Sequence, residues 1–212
     1  MSVRVKICGI TTEAGMDAAV AAGADWVGLN FFPASPRHVT PQRAAELAAR
    51  PGVPTLVGLF VKPDDAEIAA ALAAVKLDVL QLYVDAPRAA EIRSRFGLPV
   101  WRAIGVASAA DLPRDPGGVD GFVIEAKAPP GATRPGGNAV TFDWSVLAGW
   151  HAPAPWLLAG GLAPDNVAAA IRATGATAVD VASGVEREKG VKDPELVAAF
   201  VLAAHGAARA PA

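Results

Sequence analysis

Short apolar runs rich in β-branched residues alternate with longer, alanine-rich runs from one end of the chain to the other. The first kind is typical of buried strands and the second of helices with one apolar face. Eight strands are predicted, at Val3–Cys8, Trp26–Phe31, Thr55–Val61, Val79–Leu82, Val100–Ile104, Gly121–Glu125, Trp156–Ala159 and Ala178–Val181. Eight helices are predicted between and after them, at Thr12–Ala22, Pro41–Arg50, Pro63–Val75, Pro87–Phe96, Ala107–Leu112, Trp144–Gly149, Pro164–Ala173 and Pro194–His205.

Several of these helices carry residues typical of helix ends. Thr12 is expected to cap the first helix through its side-chain oxygen. Prolines are expected in the first turn of three helices, at Pro41, Pro164 and Pro194. Glycines are expected just past the ends of three helices, at Gly23, Gly97 and Gly175.

Regular alternation of strand and helix predicts a parallel sheet. Eight units in 212 residues fit a closed α/β barrel, the (β/α)8 TIM barrel, better than an open sheet of five or six strands. No G-x-G-x-x-G run follows the first strand, which argues against a dinucleotide fold. We therefore predict one barrel domain over residues 1–212. The Gly- and Pro-rich stretch 126–141 is predicted to be a long loop of the kind that often covers an active site.

Composition narrows the class of protein. Nineteen basic and 21 acidic residues give a formal charge of −2, which argues against binding to nucleic acid or to an anionic membrane surface. No apolar run approaches the roughly 20 residues of a membrane span, and the start MSVRVKICGI lacks the features of a signal peptide. A single cysteine cannot form an internal disulfide, which fits a reducing compartment. A cytoplasmic location is expected.

Active sites of such barrels lie at the carboxyl ends of the strands, and that rule selects candidate residues. Cys8 ends the first strand, where its thiol can be tuned into a general base, although a free cysteine is most often only a small buried side chain. Glu125 ends the sixth strand after an apolar run and can act as the acid, although most glutamates are solvated. A base and an acid facing one substrate is the arrangement we expect.

Other polar residues surround this pair. Lys6 lies on the same strand face as Cys8, where its charge favours the thiolate, and Asp180 on the last strand is its expected partner when the barrel closes. Arg37, in the loop after the second strand, is either a solvated arginine or a bidentate binder of a substrate carboxylate. Bare backbone at Gly160–Gly161 and at Ser183–Gly184, after strands seven and eight, is predicted to bind a phosphate.

Two runs resemble the signature of the N-(5′-phosphoribosyl)anthranilate isomerases. They are VKICGIT at 5–11 and GADWVGLNFFPASPRHVT at 23–40, and further matches follow in family order at 77–82, 134–144, 157–167, 179–186 and 190–195. The resemblance implies an Amadori rearrangement in tryptophan biosynthesis that needs no metal or organic cofactor. It gives Cys8 the position of the base and Arg37 that of the residue that binds the anthranilate carboxylate. The phosphate would lie on Gly160, Gly161, Ser183 and Gly184.

The chain departs from the family pattern at three places. Glu125 stands where the family usually has an aspartate acid, Tyr83 and Val84 stand where it commonly reads Q-L-H-G, and Asn138–Ala139 replaces a frequent Thr-Gly. These departures leave open a weakly active or non-catalytic barrel that binds a phosphosugar. Another sugar isomerase on this fold is a further alternative, but it would use a carboxylate where this chain has Cys8. A monomer and a homodimer are both compatible with the sequence.

Overall fold

Eight parallel strands close into a barrel in the computed structural model, which describes residues 2–132, 134–136 and 141–207. The strands are β1 Arg4–Cys8, β2 Trp26–Asn30, β3 Thr55–Val61, β4 Val79–Tyr83, β5 Val100–Val106, β6 Gly121–Ala126, β7 Trp156–Leu158 and β8 Ala178–Val181. Each pairs with its neighbour in chain order, and β8 returns to pair with β1. The predicted (β/α)8 barrel is confirmed.

In the part of the chain that the structure describes, six α-helices lie on the outside of the barrel. They are α1 Glu13–Ala22, α2 Pro41–Ala48, α3 Asp65–Ala74, α4 Ala86–Phe96, α5 Val167–Thr174 and α6 Pro194–Ala207. A short antiparallel hairpin of β9 Glu186–Glu188 and β10 Val191–Lys192 precedes the last helix. Within the residues described, no helix is long and apolar enough to cross a membrane.

Two of the predicted helices are wrong. The segment 107–112 forms only a 3-10 turn at Ala109–Asp111, because Pro113 and the Pro- and Gly-rich residues that follow cannot continue a helix. The segment 144–149 forms only a 3-10 turn at Trp144–Leu147. Gly149 then takes a left-handed conformation, and the Trp150 indole donates to the carbonyl of Pro113, so the chain turns away.

Most of the predicted helix ends are confirmed. The Thr12 hydroxyl accepts a hydrogen bond from the Gly15 amide at 3.1 Å, and α2 and α6 begin at their prolines. The three glycines predicted at helix ends are left-handed caps. Pro164 is the exception, because α5 begins three residues later, after Asn166. The Asn166 side chain accepts from the Ala163 amide and donates to the Gly161 carbonyl, and these bonds close a turn before the helix.

The barrel interior is apolar at its base and polar at its top. The inward residues of the lower layers are Trp26, Val57, Val79, Ala103, Val123, Leu157, Ala159 and Ala178, and they pack as one cluster. Because side chains alternate along a strand, the next inward positions follow two residues later. There the chain places Lys6, Cys8, Gln81, Tyr83, Glu125 and Asp180. The carboxyl ends of the strands therefore surround a polar cup on an apolar floor.

Candidate active site

A cavity opens at the carboxyl ends of the strands. Of the residues selected from the sequence, Cys8, Arg37, Glu125, Gly160, Gly161, Asp180 and Ser183 line it. Two do not: Lys6 is fully buried inside the barrel, two residues before Cys8 on β1, and Gly184 packs against the loop after β7. Residues selected because they follow the carboxyl ends of strands therefore meet in one cavity, although up to 175 positions separate them in the chain, from Cys8 to Ser183.

Cys8 shares its surroundings with a buried ion pair. Lys6 and Asp180 are in register on β1 and β8, and the Lys6 ammonium donates to the Asp180 carboxylate at 3.0 Å. The expected pairing of these side chains is thus confirmed. A Cβ placed on Gly28 would lie 2.8 Å from the Cys8 sulfur and 3.3 Å from the Lys6 nitrogen. Glycine at that position therefore leaves room for the thiol and the ammonium to approach each other.

Burial and charge act in opposite directions on this cluster. Burial raises the pKa of the Cys8 thiol, and the positive charge of Lys6 reduces this rise without cancelling it. Burial lowers the pKa of Lys6, but Asp180 and Cys8 outweigh it, so that the lysine pKa is raised. At neutral pH the protein therefore holds a neutral thiol beside a firmly charged ammonium. The ammonium stabilises any thiolate that forms when a proton leaves the sulfur.

Glu125 reaches the cavity from β6, across the mouth from Cys8 on β1. Its residue exposure is only 5%, although it lies at the end of its strand. Tyr83 on β4 and Pro135 and Gly136 of the loop after β6 line the same part of the cavity. A thiol and a carboxyl group thus enter one enclosed space from different strands, which is the arrangement that paired base and acid chemistry needs.

Two glycine-containing loops form the side of the cavity above β7 and β8. Gly160 and Gly161 have φ values of 88° and 64°, a left-handed conformation that other residues rarely adopt. The residues Ser183–Val185 form a 3-10 turn, and a Cβ on Gly184 would overlap the Leu162 carbonyl. The two loops therefore pack against each other with bare main chain, which leaves space for an anionic group to approach their amides.

Arg37 is held in a buried ion-pair cluster that sequence reasoning missed. Its Nε and Nη2 donate to the two carboxylate oxygens of Glu186 at 2.7 and 2.9 Å. Lys192 donates to the same carboxylate and to the Ala182 carbonyl, both at 2.8 Å. Glu186 thus takes one edge of the guanidinium, and a ligand carboxylate would meet the Nη1–Nη2 edge. The matching runs 179–186 and 190–195 contained both residues, but nothing in them indicated a partner.

Glu186 neutralises two buried cations, and this makes it important for stability. We expect Glu186→Gln to lower the free energy of unfolding by about 3–5 kcal/mol, because it leaves Arg37 and Lys192 without a counter-charge in a buried site. Chemical unfolding at neutral pH measures the effect. Glu188→Gln, at an exposed position of the same hairpin, is the control and should change little. A loss no larger than the control's would contradict this assignment.

The same cluster predicts a pH dependence of stability. Burial raises the pKa of Glu186, but the Arg37 hydrogen bond and the Lys192 charge outweigh it and hold that pKa below its usual range. A carboxyl with a depressed pKa in the folded state contributes stability that is present above its unfolded pKa. That contribution is lost as the pH falls through the folded pKa. The difference between wild type and Glu186→Gln should therefore shrink on acidification.

Gln81 is a second residue that sequence reasoning missed. It lies on β4 with 1% exposure and lines the cavity, and its Oε1 accepts no hydrogen bond from the residues that the structure describes. A buried acceptor without a donor costs free energy and calls for an explanation. Because Gln81 borders the cavity, a hydroxyl or amine of a bound molecule is one possible source of that donor.

Removing that acceptor is expected to stabilise the protein. Gln81→Met keeps the length of the side chain and should raise the free energy of unfolding by about 1 kcal/mol, because the unsatisfied oxygen is replaced by an apolar group. Thermal or urea unfolding without ligand measures the change. A destabilised variant would show that the oxygen has a donor in solution, and the idea of an unused acceptor would then fail.

The family model described as "N-(5'phosphoribosyl)anthranilate (PRA) isomerase" matches residues 5–203, almost the whole chain. The chain belongs to this isomerase family. A relative from Acidiphilium cryptum, named N-(5′-phosphoribosyl)anthranilate isomerase, is 59% identical over 204 residues, which are 96% of this chain and 99% of the relative. The resemblance stated from the K-I-C-G and later motifs is thus confirmed.

Solved structures of phosphoribosylanthranilate isomerases have the same fold. One, crystallised with reduced 1-(o-carboxyphenylamino)-1-deoxyribulose 5-phosphate, is 32% identical and gives a TM-score of 0.80, covering 96% of this chain and 99% of that one. Another describes monomers generated from the dimeric isomerase of Thermotoga maritima. It is 33% identical with a TM-score of 0.82 and the same coverage.

The departures from the family pattern fall at the top of the barrel. Tyr83 and Glu125 line the cavity, and Val84 follows Tyr83 at the end of β4. Asn138 and Ala139 lie outside the described residues. Of the predicted loop 126–141, Ala126 belongs to β6, and residues 134–136 return to the cavity mouth. The two departures that the structure describes at the cavity, Tyr83 and Glu125, therefore both belong to its lining.

Proposed function

We propose that the protein is an active phosphoribosylanthranilate isomerase. It converts N-(5′-phosphoribosyl)anthranilate to 1-(2-carboxyphenylamino)-1-deoxyribulose 5-phosphate, a step of tryptophan biosynthesis. The observation that carries this proposal is that Cys8 on β1 and Glu125 on β6 line one cavity at the mouth of the barrel. Membership of the family over residues 5–203 supports it.

The proposed chemistry consists of proton transfers to and from the substrate. Glu125 gives its proton to the furanose ring oxygen, the bond between that oxygen and C1 breaks, and a Schiff base forms. The Cys8 thiol loses its proton to solvent to give a thiolate beside Lys6, and this thiolate then takes the proton from C2, which leaves an enolamine. Protonation of the enolamine at C1 and loss of the 2-hydroxyl proton give the ketone. Lys6 does not line the cavity, so we assign it to stabilising the thiolate, while Asp180 lines the wall beside the substrate.

The ends of the substrate are assigned to the two other sides of the cavity. The phosphate lies against the main chain at Gly160 and Gly161 and at Ser183 and Gly184, where no side chain prevents close approach. Arg37 binds the anthranilate carboxylate through the guanidinium edge that Glu186 does not occupy. This division leaves the sugar carbons between the thiol and the carboxyl.

The alternative is a barrel of the same family that binds a phosphosugar but turns it over slowly or not at all. The unusual Glu125 and Tyr83 motivate it. A sugar isomerase that relies on a carboxylate at the end of the first strand is a poorer candidate, because β1 ends in Cys8. Both hypotheses expect the phosphosugar to bind, but only the proposal expects rapid turnover of it.

A fluorescence assay with freshly prepared phosphoribosylanthranilate separates them. The proposal expects loss of substrate fluorescence at a rate proportional to enzyme concentration, without added metal or cofactor, and growth of a tryptophan auxotroph that lacks the isomerase. Binding of the reduced product analogue without turnover would instead favour the non-catalytic barrel. Absence of both would remove the assignment to this substrate.

The remaining parts of the proposal concern the binding partner, the cellular location, the domain and the oligomeric state. The partner is a small phosphosugar–anthranilate molecule, with no nucleic acid and no membrane, and a cytoplasmic location fits the single cysteine and the near-neutral charge balance. The proposal includes one barrel domain over residues 1–212. Both a monomer and a homodimer remain compatible with it, and size-exclusion chromatography with light scattering distinguishes the two.

A further inference from the structure

Tyr83 and Glu125 approach each other over the mouth of the barrel. They lie at the ends of β4 and β6, with β5 between these strands. The β5 residue in register with Glu125 is Gly105, so no side chain of β5 stands between them at that level. Both residues line the cavity. The two departures from the family pattern are therefore neighbours in space, although 42 positions separate them in the chain.

The loop after β6 meets both groups at one point. A Cβ placed on Gly136 would overlap the Tyr83 hydroxyl and both carboxyl oxygens of Glu125. The glycine lets the main chain of the loop come close to the ends of both side chains, so that it covers the pair. Burial raises the pKa of the Tyr83 hydroxyl well above its usual range, and the nearby charge of Glu125 raises it further. The phenol is thus neutral and keeps its proton for donation.

We propose that Tyr83 is a positioning residue for Glu125, whose carboxylate accepts a hydrogen bond from the phenol and is thereby held toward the substrate. This deepens the proposed function and rests on Glu125 being its acid. A glutamate has one more rotatable bond than an aspartate, so its carboxyl group samples more orientations unless a partner restricts it. The rigid phenol of Tyr83 supplies that restriction, and the two departures become one coupled change.

The hydrogen bond also favours the chemical step. As the O–H bond of the protonated Glu125 breaks, its proton passes to the furanose oxygen and the carboxylate becomes negative. The Tyr83 O–H, which stays intact, donates to that developing charge. Hydrogen bonds to charged groups are worth more than those to neutral ones, so the contact strengthens during the reaction. Tyr83 therefore acts on kcat, and it acts through Glu125.

A double-mutant cycle distinguishes this role from simple packing. Tyr83→Phe keeps the ring and should lower kcat about tenfold, the equivalent of one charged hydrogen bond, with KM changed less than about twofold. In a Glu125→Gln background the same substitution should change kcat less than about twofold, because the group through which it acts is gone. Equal losses of kcat in both backgrounds, or an effect on KM alone, would overturn the proposal.

A second measurement does not depend on turnover. Tyr83 is the only tyrosine of the chain, so its ring Cζ gives a single NMR resonance whose shift follows ionisation. Glu125→Gln removes the negative charge, and the resonance should then begin to titrate at a pH lower by about one unit. Glu188→Gln is the control and should leave the titration unchanged. Identical titrations in wild type and Glu125→Gln would refute the contact even if the enzyme is active, whereas an inactive wild type with the expected shift would refute only the proposed function.

Discussion

Cys8→Ala is expected to lower kcat by about a thousandfold while the reduced product analogue still binds, because a positioned general base contributes on the order of 10²–10⁴ in rate. The thiol is the only one in the chain and lies at the end of β1 in the wall of the cavity. Alanine offers no atom to accept the C2 proton. We expect Cys8→Ser to be nearly as inactive, since a hydroxyl at this position is too weakly acidic to serve as a base at neutral pH.

Packing is tested separately from chemistry. Val123→Ala removes two methyl groups from the apolar floor on the strand that carries Glu125, and it should lower stability while most of the activity remains.

If Cys8→Ala and Cys8→Ser both kept substantial turnover, the sulfur would not be the base. If neither variant bound the product analogue, lost substrate binding and not a lost base would explain the loss of activity.

The pH dependence of Cys8 reactivity gives a further check on the same residue. Burial raises the pKa of the thiol, so its thiolate fraction should increase with pH over a range above that of an ordinary cysteine. Iodoacetamide should therefore inactivate the enzyme with a stoichiometry of one and with a rate that rises as the pH rises. Bound product analogue should protect against inactivation. A rate already maximal at neutral pH would contradict the raised pKa.

Glu125→Gln is expected to lower kcat by about 10²–10³-fold, the second large effect. The amide has the shape of the acid but no proton to give to the ring oxygen, so ring opening slows while binding is preserved. Glu195→Gln, at an exposed position of α6, is the matched control and should be neutral. Wild-type turnover in Glu125→Gln would remove the carboxyl from the mechanism.

Glu125→Asp tests the geometry of the acid instead of its chemistry. The shorter side chain withdraws the carboxyl group by about 1.5 Å, the length of one carbon–carbon bond. A misplacement of about 1 Å can cost on the order of 100-fold in rate, so we expect a loss of that size. A variant more active than wild type would show that glutamate places the carboxyl group less well than aspartate does, and that Tyr83 does not compensate for this.

Much of the fold and part of the site followed from the sequence. Strand and helix are indicated by local periodicity, so the eight strands and the six α-helices were predicted with small errors at their ends. The rule that barrel strands end at the active site selected Cys8 and Glu125, and closure of the barrel selected Asp180 as the partner of Lys6. These inferences required only the pattern of residues close together in the sequence, or the order of the strands in the barrel.

What remained depended on contacts between distant loops. Glu186 and Lys192 lie on strands of three and two residues, too short for any periodicity, and Arg37 meets Glu186 across 149 positions of the chain. The segments 107–112 and 144–149 had helix-like composition but were too short to hold more than a 3-10 turn. The approach of Tyr83 to Glu125 was not readable from either strand alone.

The chain by itself therefore determined the barrel and selected the candidate reacting groups, because hydrophobic periodicity and strand order are properties of local sequence. The tertiary structure alone decided which residues lie beside those groups: Glu186 and Lys192 beside Arg37, and Tyr83 and Gly136 beside Glu125. The physical reason is that loops carry no repeating pattern. Their side chains find partners only once the closed barrel brings the strand ends within hydrogen-bonding distance.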